Sequence, residues 1–261
     1  MVKTRRVMLE NPKHKAIDET FSQRIDELLY SKTDEKVIAS ELLRKIFSGR
    51  KFTHALDVGA GPGEITKPLA DISENLTIVE LLPEYRKILA GKFPKAKIIT
   101  NSIDNVPLKQ EYDLILFSQV LMYFPHEEWF GLVEKLHNAL LPNGELIIIL
   151  LADSGDWWKI VDRFWKPLRQ FIRFDYIPLS EFKKTLSQLG DLRVYPYTSQ
   201  ILCDSKDVAI ECIGREILQI NDEEILKKFR SEFAKIASDL EQRGDKTIID
   251  YESEIIVIRK N

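Results

Sequence analysis

The sequence has 261 residues, 44% hydrophobic and 30% charged, with 38 Lys and Arg against 41 Asp and Glu for a formal net charge of −3. Those values fit a soluble globular chain with length enough for a large core, and they give no electrostatic footprint for nucleic acid. The longest apolar run, residues 146–152, is too short to cross a bilayer and suits a buried parallel strand. Cys203 and Cys212 are the only cysteines, so no disulfide framework or zinc cluster is indicated and both read as small buried hydrophobes. The basic N-terminal stretch lacks the apolar segment of a secretory signal, so a cytoplasmic location without membrane association is expected.

In chain order, residues 16–48 read as helices broken near 31–36. Ser31, Thr33 and Asp34 are candidate N-caps for a helix carrying Val37, Ile38, Leu42, Leu43 and Ile46. Alternating units follow: a strand at 55–58, a helix at about 64–72, a strand at 76–80, a helix at about 83–92 and a strand at 96–100. A strand at 112–118, a helix at 127–140 and a strand at 145–151 complete the run. Strand and helix alternation with strands this apolar predicts a parallel sheet. After residue 152 the rhythm changes. An aromatic-rich helical stretch at 155–174 is followed by an amphipathic helix at 179–190 that stops at Gly190. Strands at 192–203 and 252–260 are expected to close the sheet as an antiparallel pair. Helical patterns at 206–219 and 222–243 lie between them, and packing is the expected role of most of their residues.

Residues 55–65, "ALDVGAGPGEI", join a strand end to a helix start through Gly59, Gly61 and Gly63. A strand, a glycine turn and a helix make the first crossover of a doubly wound sheet, where ligands bind at the carboxyl ends of the strands. A dinucleotide fingerprint would need its third glycine where this chain has Glu64, and the Gly-Lys-Ser/Thr of a phosphate-binding loop is absent. An acid in the first helical turn competes with a pyrophosphate for the amides there, which favours a cationic or neutral nucleoside ligand. Glu80, closing the strand "LTIVE" about one unit later, is placed to accept both hydroxyls of a ribose.

Together "LDVGAGPGEI", "IVE", "NSIDNVPL" and "YDLILFSQVLMYF" resemble the class I S-adenosylmethionine-dependent methyltransferases over about residues 50–152. The resemblance implies a Rossmann-like, mostly parallel seven-stranded sheet with its last strand antiparallel, and S-adenosyl-L-methionine as cofactor. It also implies roles: the glycines beneath the methionine and ribose, Asp57 or its neighbours at the methionine ammonium, and Glu80 at the ribose. Ser102 and Asp104 would approach the adenine, and Ser118 and Gln119 the mouth near the sulfonium. The Asn/Asp-Pro-Pro-aromatic element and the Pro-Cys nucleophile of nucleic-acid enzymes are both missing, which disfavours a nucleic-acid substrate.

Four further pieces, "FSQRIDELLYSKTDE", "SQVLMYF", "DSGDWWKI" and "YESEIIVI", are similar in order and spacing to the histamine N-methyltransferases. That resemblance implies a substrate pocket in which Asp34 and Gln119 contact an amine acceptor and act in catalysis. Phe21, Tyr123, Trp157 and Trp158 would give aromatic walls, with Tyr251 where the family has an asparagine. A carboxylate beside an amine favours its protonated, non-nucleophilic form, so Asp34 suits a second nitrogen better than the attacking one.

The expected organisation is one α/β domain: an N-terminal helical cap at 1–49, a donor-binding core at 50–152, and substrate-side helices with closing strands at 153–261. The expected activity is methyl transfer to a small molecule at the nitrogen of a small amine. O-methylation of a small hydroxylated or carboxylate metabolite, or donor binding without catalysis as a sensor, are the alternatives. No metal is implied.

Overall fold

The computed structural model of the chain describes residues 32–172, 176–220 and 222–261. Its first half alternates as expected through α1 (Glu35–Ile46), β1 (Phe52–Val58), α2 (Thr66–Ile72), β2 (Ser73–Val79), α3 (Pro83–Lys92), β3 (Lys97–Ile99), β4 (Tyr112–Ser118), α4 (Trp129–Asn138) and β5 (Leu140–Leu151). There follow α5 (Gly155–Leu168), α6 (Leu179–Leu186), β6 (Asp191–Cys203), α7 (Lys206–Glu211), a π-helical turn (Cys212–Ile217), α8 (Glu223–Asp239), β7 (Glu241–Arg243) and β8 (Lys246–Arg259).

The strands form one sheet in the order β3-β2-β1-β4-β5-β8-β6. Strands β1 to β5 pair in parallel, and β8 runs antiparallel to both β5 and β6. The expected seven strands become eight, because residues 241–243 are not the end of a helix. Helix α8 stops at Asp239, Leu240 is extended, and β7 folds back on β8 through a hairpin at Gly244 and Asp245.

Successive side chains of a strand face opposite sides of the sheet, and here both sides are apolar. Ala55, Leu114, Leu116, Ile147 and Ile149 cluster with Ala39, Leu43 and Leu69 of α1 and α2. Leu56, Ile115, Phe117, Leu146 and Ile148 cluster with Trp129, Val133 and Leu136 of α4 and Phe182 of α6. A third cluster joins α5, α7, the π turn and α8 to Ile201, Cys203 and Ile249, and it buries both cysteines.

Three local expectations are corrected. The helix read at 206–219 is α-helical only to Glu211, after which Leu218 N donates to Ile213 O at 3.1 Å, a bond across five residues. The stretch read as one or two helices at 155–174 holds a helix to Leu168, with Pro167 in its last turn. At the start of α1, Asp34 occupies the N-cap position but its side chain makes no capping bond. Its Oδ1 accepts instead from Gln200 N of β6 at 2.8 Å, while Thr33 Oγ1 accepts from Glu35 N at 3.2 Å. Beside this contact Leu202 N donates to Lys32 O at 2.9 Å, and Thr33 bridges to Ile201. Ser31, the other candidate cap, lies outside the described residues, and among these no helix is long and apolar enough to cross a membrane.

Candidate active site

Parallel strands end at one edge of the sheet, so the loops leaving β1 to β4 meet there. The strand ladder carries on into those loops: Gly59 N donates to Val79 O at 2.7 Å, Glu80 N to Ile99 O at 3.0 Å, and Gln119 N to Ile149 O at 2.9 Å. The site residues are therefore held by backbone bonds to neighbouring strands.

Gly59 and Gly61 have φ of 72° and 54°, in the left-handed region, for different reasons. A Cβ on Gly59 would lie 2.4 Å from Val120 Cγ2, so that glycine lets two chain segments touch. A Cβ on Gly61 would meet nothing within 4 Å, so that glycine faces open space. Gly63, also at positive φ, packs against Leu89 and Phe93.

Glu80 ties the loop to β2. Its Oε2 accepts from Gly61 N at 2.9 Å and its Oε1 from Leu82 N at 2.8 Å. A carboxylate has about four acceptor sites, so Glu80 keeps acceptor capacity beyond its backbone bonds. Burial raises the pKa of Glu80, opposed by the backbone amides of Leu82 and Gly61. Asp57 is 2% exposed, and its Oδ2 accepts from Thr66 Oγ1 at 2.6 Å across the glycine turn. Burial pushes its pKa from 3.8 up to about 7; the Thr66 bond opposes this and the charge of Glu80 adds to it.

The next loop is a tight turn, Ile103–Asn105, gripped by Lys135 of α4, whose Nζ donates to Ile103 O at 2.7 Å and Asp104 O at 2.8 Å. This places Ser102 and Asp104 by their backbone. The buried hydroxyls of Ser102 and Ser118 have no hydrogen-bond partner among the described residues. Gln119, just past β4, has φ of 54°, and neither its Oε1 nor its Nε2 has a partner among the described residues. Open space at Gly61, spare acceptors at Glu80 and unpartnered hydroxyls at Ser102 and Ser118 fit the sulfonium nucleoside that the sequence implies.

Beyond Gln119 lies a cleft of about 640 Å³, its open mouth included. Of the predicted acceptor residues, Gln119, Tyr123, Trp157 and Tyr251 line it. Trp157 meets Tyr251 edge-on with ring centroids 6.0 Å apart. Asp34 and Trp158 are not brought to this lining. Trp158 lies against Tyr176 instead, with centroids 4.9 Å apart, and Asp34 is held on the β6 edge. The acid on that wall is Glu35, one residue further along; it is 4% exposed, accepts from Tyr197 Oη at 3.0 Å and pairs with Lys36 Nζ at 3.2 Å. Phe21 lies outside the described residues.

Glu216 and Gln219 also line the cleft, and sequence reasoning passed over both. Their signal was present: an acid and an amide set among Ile213, Ile217, Leu218 and Ile220, where a packing helix would carry only apolar groups.

The family described as "Methyltransferase domain" matches residues 56–148. An uncharacterized methyltransferase-like protein of Schizosaccharomyces pombe is 29% identical over 132 residues, 48% of this chain and 50% of that protein. Nodulation protein S of Bradyrhizobium diazoefficiens is 31% identical over 97 residues, 36% of this chain and 46% of that protein. Among solved structures, the N-methyltransferase NodS of Bradyrhizobium japonicum WM9 in complex with S-adenosyl-l-homocysteine matches with a TM-score of 0.56 at 14% identity, over 93% of this chain and 99% of that one. At that identity the likeness shows the fold. The chain spans about half the length of the sequence relatives it matches. Residues 56–148 thus match a methyltransferase domain, and the chain shares its fold with solved methyltransferases.

Proposed function

We propose that this chain transfers the methyl group of S-adenosylmethionine to the nitrogen of a small amine. Gln119 carries the reading. A glutamine held in left-handed backbone, with both polar atoms of its amide unpartnered among the described residues, stands where the donor loops meet an aromatic cleft. Such backbone costs about 1–3 kcal/mol and clusters where function needs it. A neutral amide orients an amine without raising its pKa, so the nitrogen lone pair stays available.

When bound, the donor supplies an electrophilic sulfonium methyl that moves by in-line displacement. The chain's own residues hold and align. Glu80 takes the ribose hydroxyls, Ser102 and the turn fixed by Lys135 border the adenine, Asp57 receives the methionine ammonium, and Ser118 and Gln119 form the mouth. Tyr123, Trp157 and Tyr251 keep water from the reacting nitrogen, and alignment in a dry site is most of what such a transfer requires. The acceptor nitrogen gives its proton to bulk water before it binds, attacks as the neutral amine and leaves as a methylated ammonium ion, so the displacement itself needs no buried base.

The test is release of S-adenosylhomocysteine by the purified chain against aliphatic amines, imidazole amines, catechols and short carboxylic acids. Turnover on an amine is expected. Gln119→Gly, which tolerates the left-handed backbone, should lower kcat/KM roughly 10- to 100-fold with donor affinity unchanged. Turnover on hydroxyls or acids alone would sink the amine reading and leave the donor site standing.

Asp57 gives a pH signature. Its raised pKa means that the folded protein, without donor, holds a proton the unfolded chain releases. That contribution to stability is full below pH 3.8 and is lost as pH rises to about 7. An ammonium bound against Asp57 favours the ionised carboxylate, so donor affinity should climb towards pH 7 and binding at pH 6 should release a proton. Calorimetric titration with S-adenosylhomocysteine in two buffers of different ionisation enthalpy reads this directly. Proton-neutral binding at pH 6, or release that survives in Asp57→Asn, would remove Asp57 from that role.

A further inference from the structure

Among the described residues three besides glycine have left-handed backbone: Gln119, Asn143 and Gln219, at φ 54°, 64° and 50°. Asparagine is at home there, and Asn143 turns within β5, its Oδ1 accepting from Arg259. Glutamine is not among the residues that this backbone favours, yet the other two are glutamines and both line the acceptor cleft. Gln119 stands at the donor mouth, while Gln219 comes from a different element and has no part in holding the donor.

Ser205 caps α7 by accepting from Val208 N at 3.2 Å, and the helix then widens into the π turn Cys212–Ile217. The turn closes with Ile220 N donating to Gly214 O at 3.0 Å. It is clamped onto α8: a Cβ on Gly214 would lie 2.5 Å from Leu226 Cδ2 and 3.0 Å from Phe233 Cε2. Such wide turns recur at functional sites. The neighbours Ile217, Leu218 and Ile220 are buried, and Gln219 itself is 8% exposed. Its buried Oε1 has no hydrogen-bond partner among the described residues. An amide held in strained backbone and left unpaired lowers the stability of the free chain, and a ligand group that pairs with it restores the loss.

We infer that Gln219 selects the acceptor by hydrogen-bonding a hydroxyl of the substrate, distinct from the nitrogen that Gln119 presents. This rests on the amine reading above and narrows it to small amino alcohols. The two glutamines lie on separate elements of one cleft, so a single acceptor meets both only if it carries two polar groups. A neutral amide fully serves a hydroxyl, whereas an ammonium taken out of water needs more than one uncharged partner. A hydroxyl both donates and accepts, so it pairs with either end of an amide. An alkyl group in its place leaves Gln219 unpaired, which is how a polar site rejects an apolar analogue.

The experiment is calorimetric binding to the full chain saturated with S-adenosylhomocysteine. The ligands are 3-aminopropan-1-ol, 4-aminobutan-1-ol and 5-aminopentan-1-ol, each against the alkylamine in which a methyl replaces the hydroxyl. At the length that spans the cleft, wild type should prefer the amino alcohol roughly 10-fold or more. Gln219→Met keeps the reach of the side chain and removes its polar end, so that preference should disappear. The Tm of this variant without acceptor should equal or exceed that of wild type, because no hydrogen bond is lost. No preference in wild type at any of these lengths, or a preference intact in Gln219→Met, overturns the inference. A Tm several degrees lower overturns it too, by making the amide a support of the turn. Binding needs no turnover, so the two readings fail separately. An amino-alcohol preference without methylation of the amino group sinks amine methylation alone; methylation of alkylamines with no amino-alcohol preference sinks the role of Gln219 alone.

Discussion

Glu80→Ala is expected to weaken binding of S-adenosylhomocysteine on the order of 100-fold or more, the largest loss of any single substitution at the donor site. The side chain has two tasks that alanine ends together. It accepts from Gly61 N and Leu82 N, and so fixes the glycine loop to the end of β2. Its remaining lone pairs are the acceptors available to the ribose. Hydrogen bonds to a charged group contribute roughly 1.5–3 kcal/mol each, so the loss of two to the ligand accounts for the factor, and a loosened loop adds to it. Stability should fall less than affinity does. Burial raises the pKa of this carboxylate, which means its charge is held at a desolvation cost that alanine removes. Calorimetry and thermal unfolding of the same variant separate the two effects. A folded Glu80→Ala protein that binds within threefold of wild type would show that the acid does not touch the ligand.

Gly61→Ala is expected to cost donor affinity 10- to 100-fold while lowering stability by only about 1–2 kcal/mol, the penalty of a Cβ in left-handed backbone. The added methyl meets no protein atom within 4 Å, so little else changes in the free protein. It projects into the space that the donor must enter. Gly59→Ala is the control with the opposite balance. Its Cβ would sit 2.4 Å from Val120 Cγ2, beside Gln119, and the loop must shift to admit it. That variant should lose stability first, and affinity as a consequence. Normal donor binding by Gly61→Ala would mean that the ligand does not pass over this loop.

These residues were legible in the sequence because their constraints are local. A loop with three alternating glycines between a strand and a helix states a backbone requirement, and an acid closing the next strand is carried to the same sheet edge by topology alone. The strand and helix rhythm to residue 151 was legible for a similar reason: each element states its own period. What stayed hidden depends on phase and on partners distant in the chain. Asp34 and Glu35 are adjacent acids, and which one faces the cleft is decided by the first turn of α1 and by Tyr197 and Gln200, more than 160 residues away. Glu216 and Gln219 stand out as polar residues in an apolar stretch, but which wall they face is set by a π turn that the sequence pattern does not announce. Strand β7, Glu-Gln-Arg and wholly exposed, has nothing of a strand's composition and forms only because β8 is there to pair with.

The position of Asp34 has a consequence for the molecule as a solute. Strand β6, thirteen residues long, is the outermost strand beside β8, and a long free edge is a template on which another chain can polymerise. Three alternate positions on its outer side are closed. Gln200 N is taken by Asp34 Oδ1 and Leu202 N by Lys32 O, while Pro196, of the same parity, has no amide to offer. The few residues that lead into α1 thus act as a guard rail, and the acid that does not reach the cleft helps keep one molecule from growing onto the next.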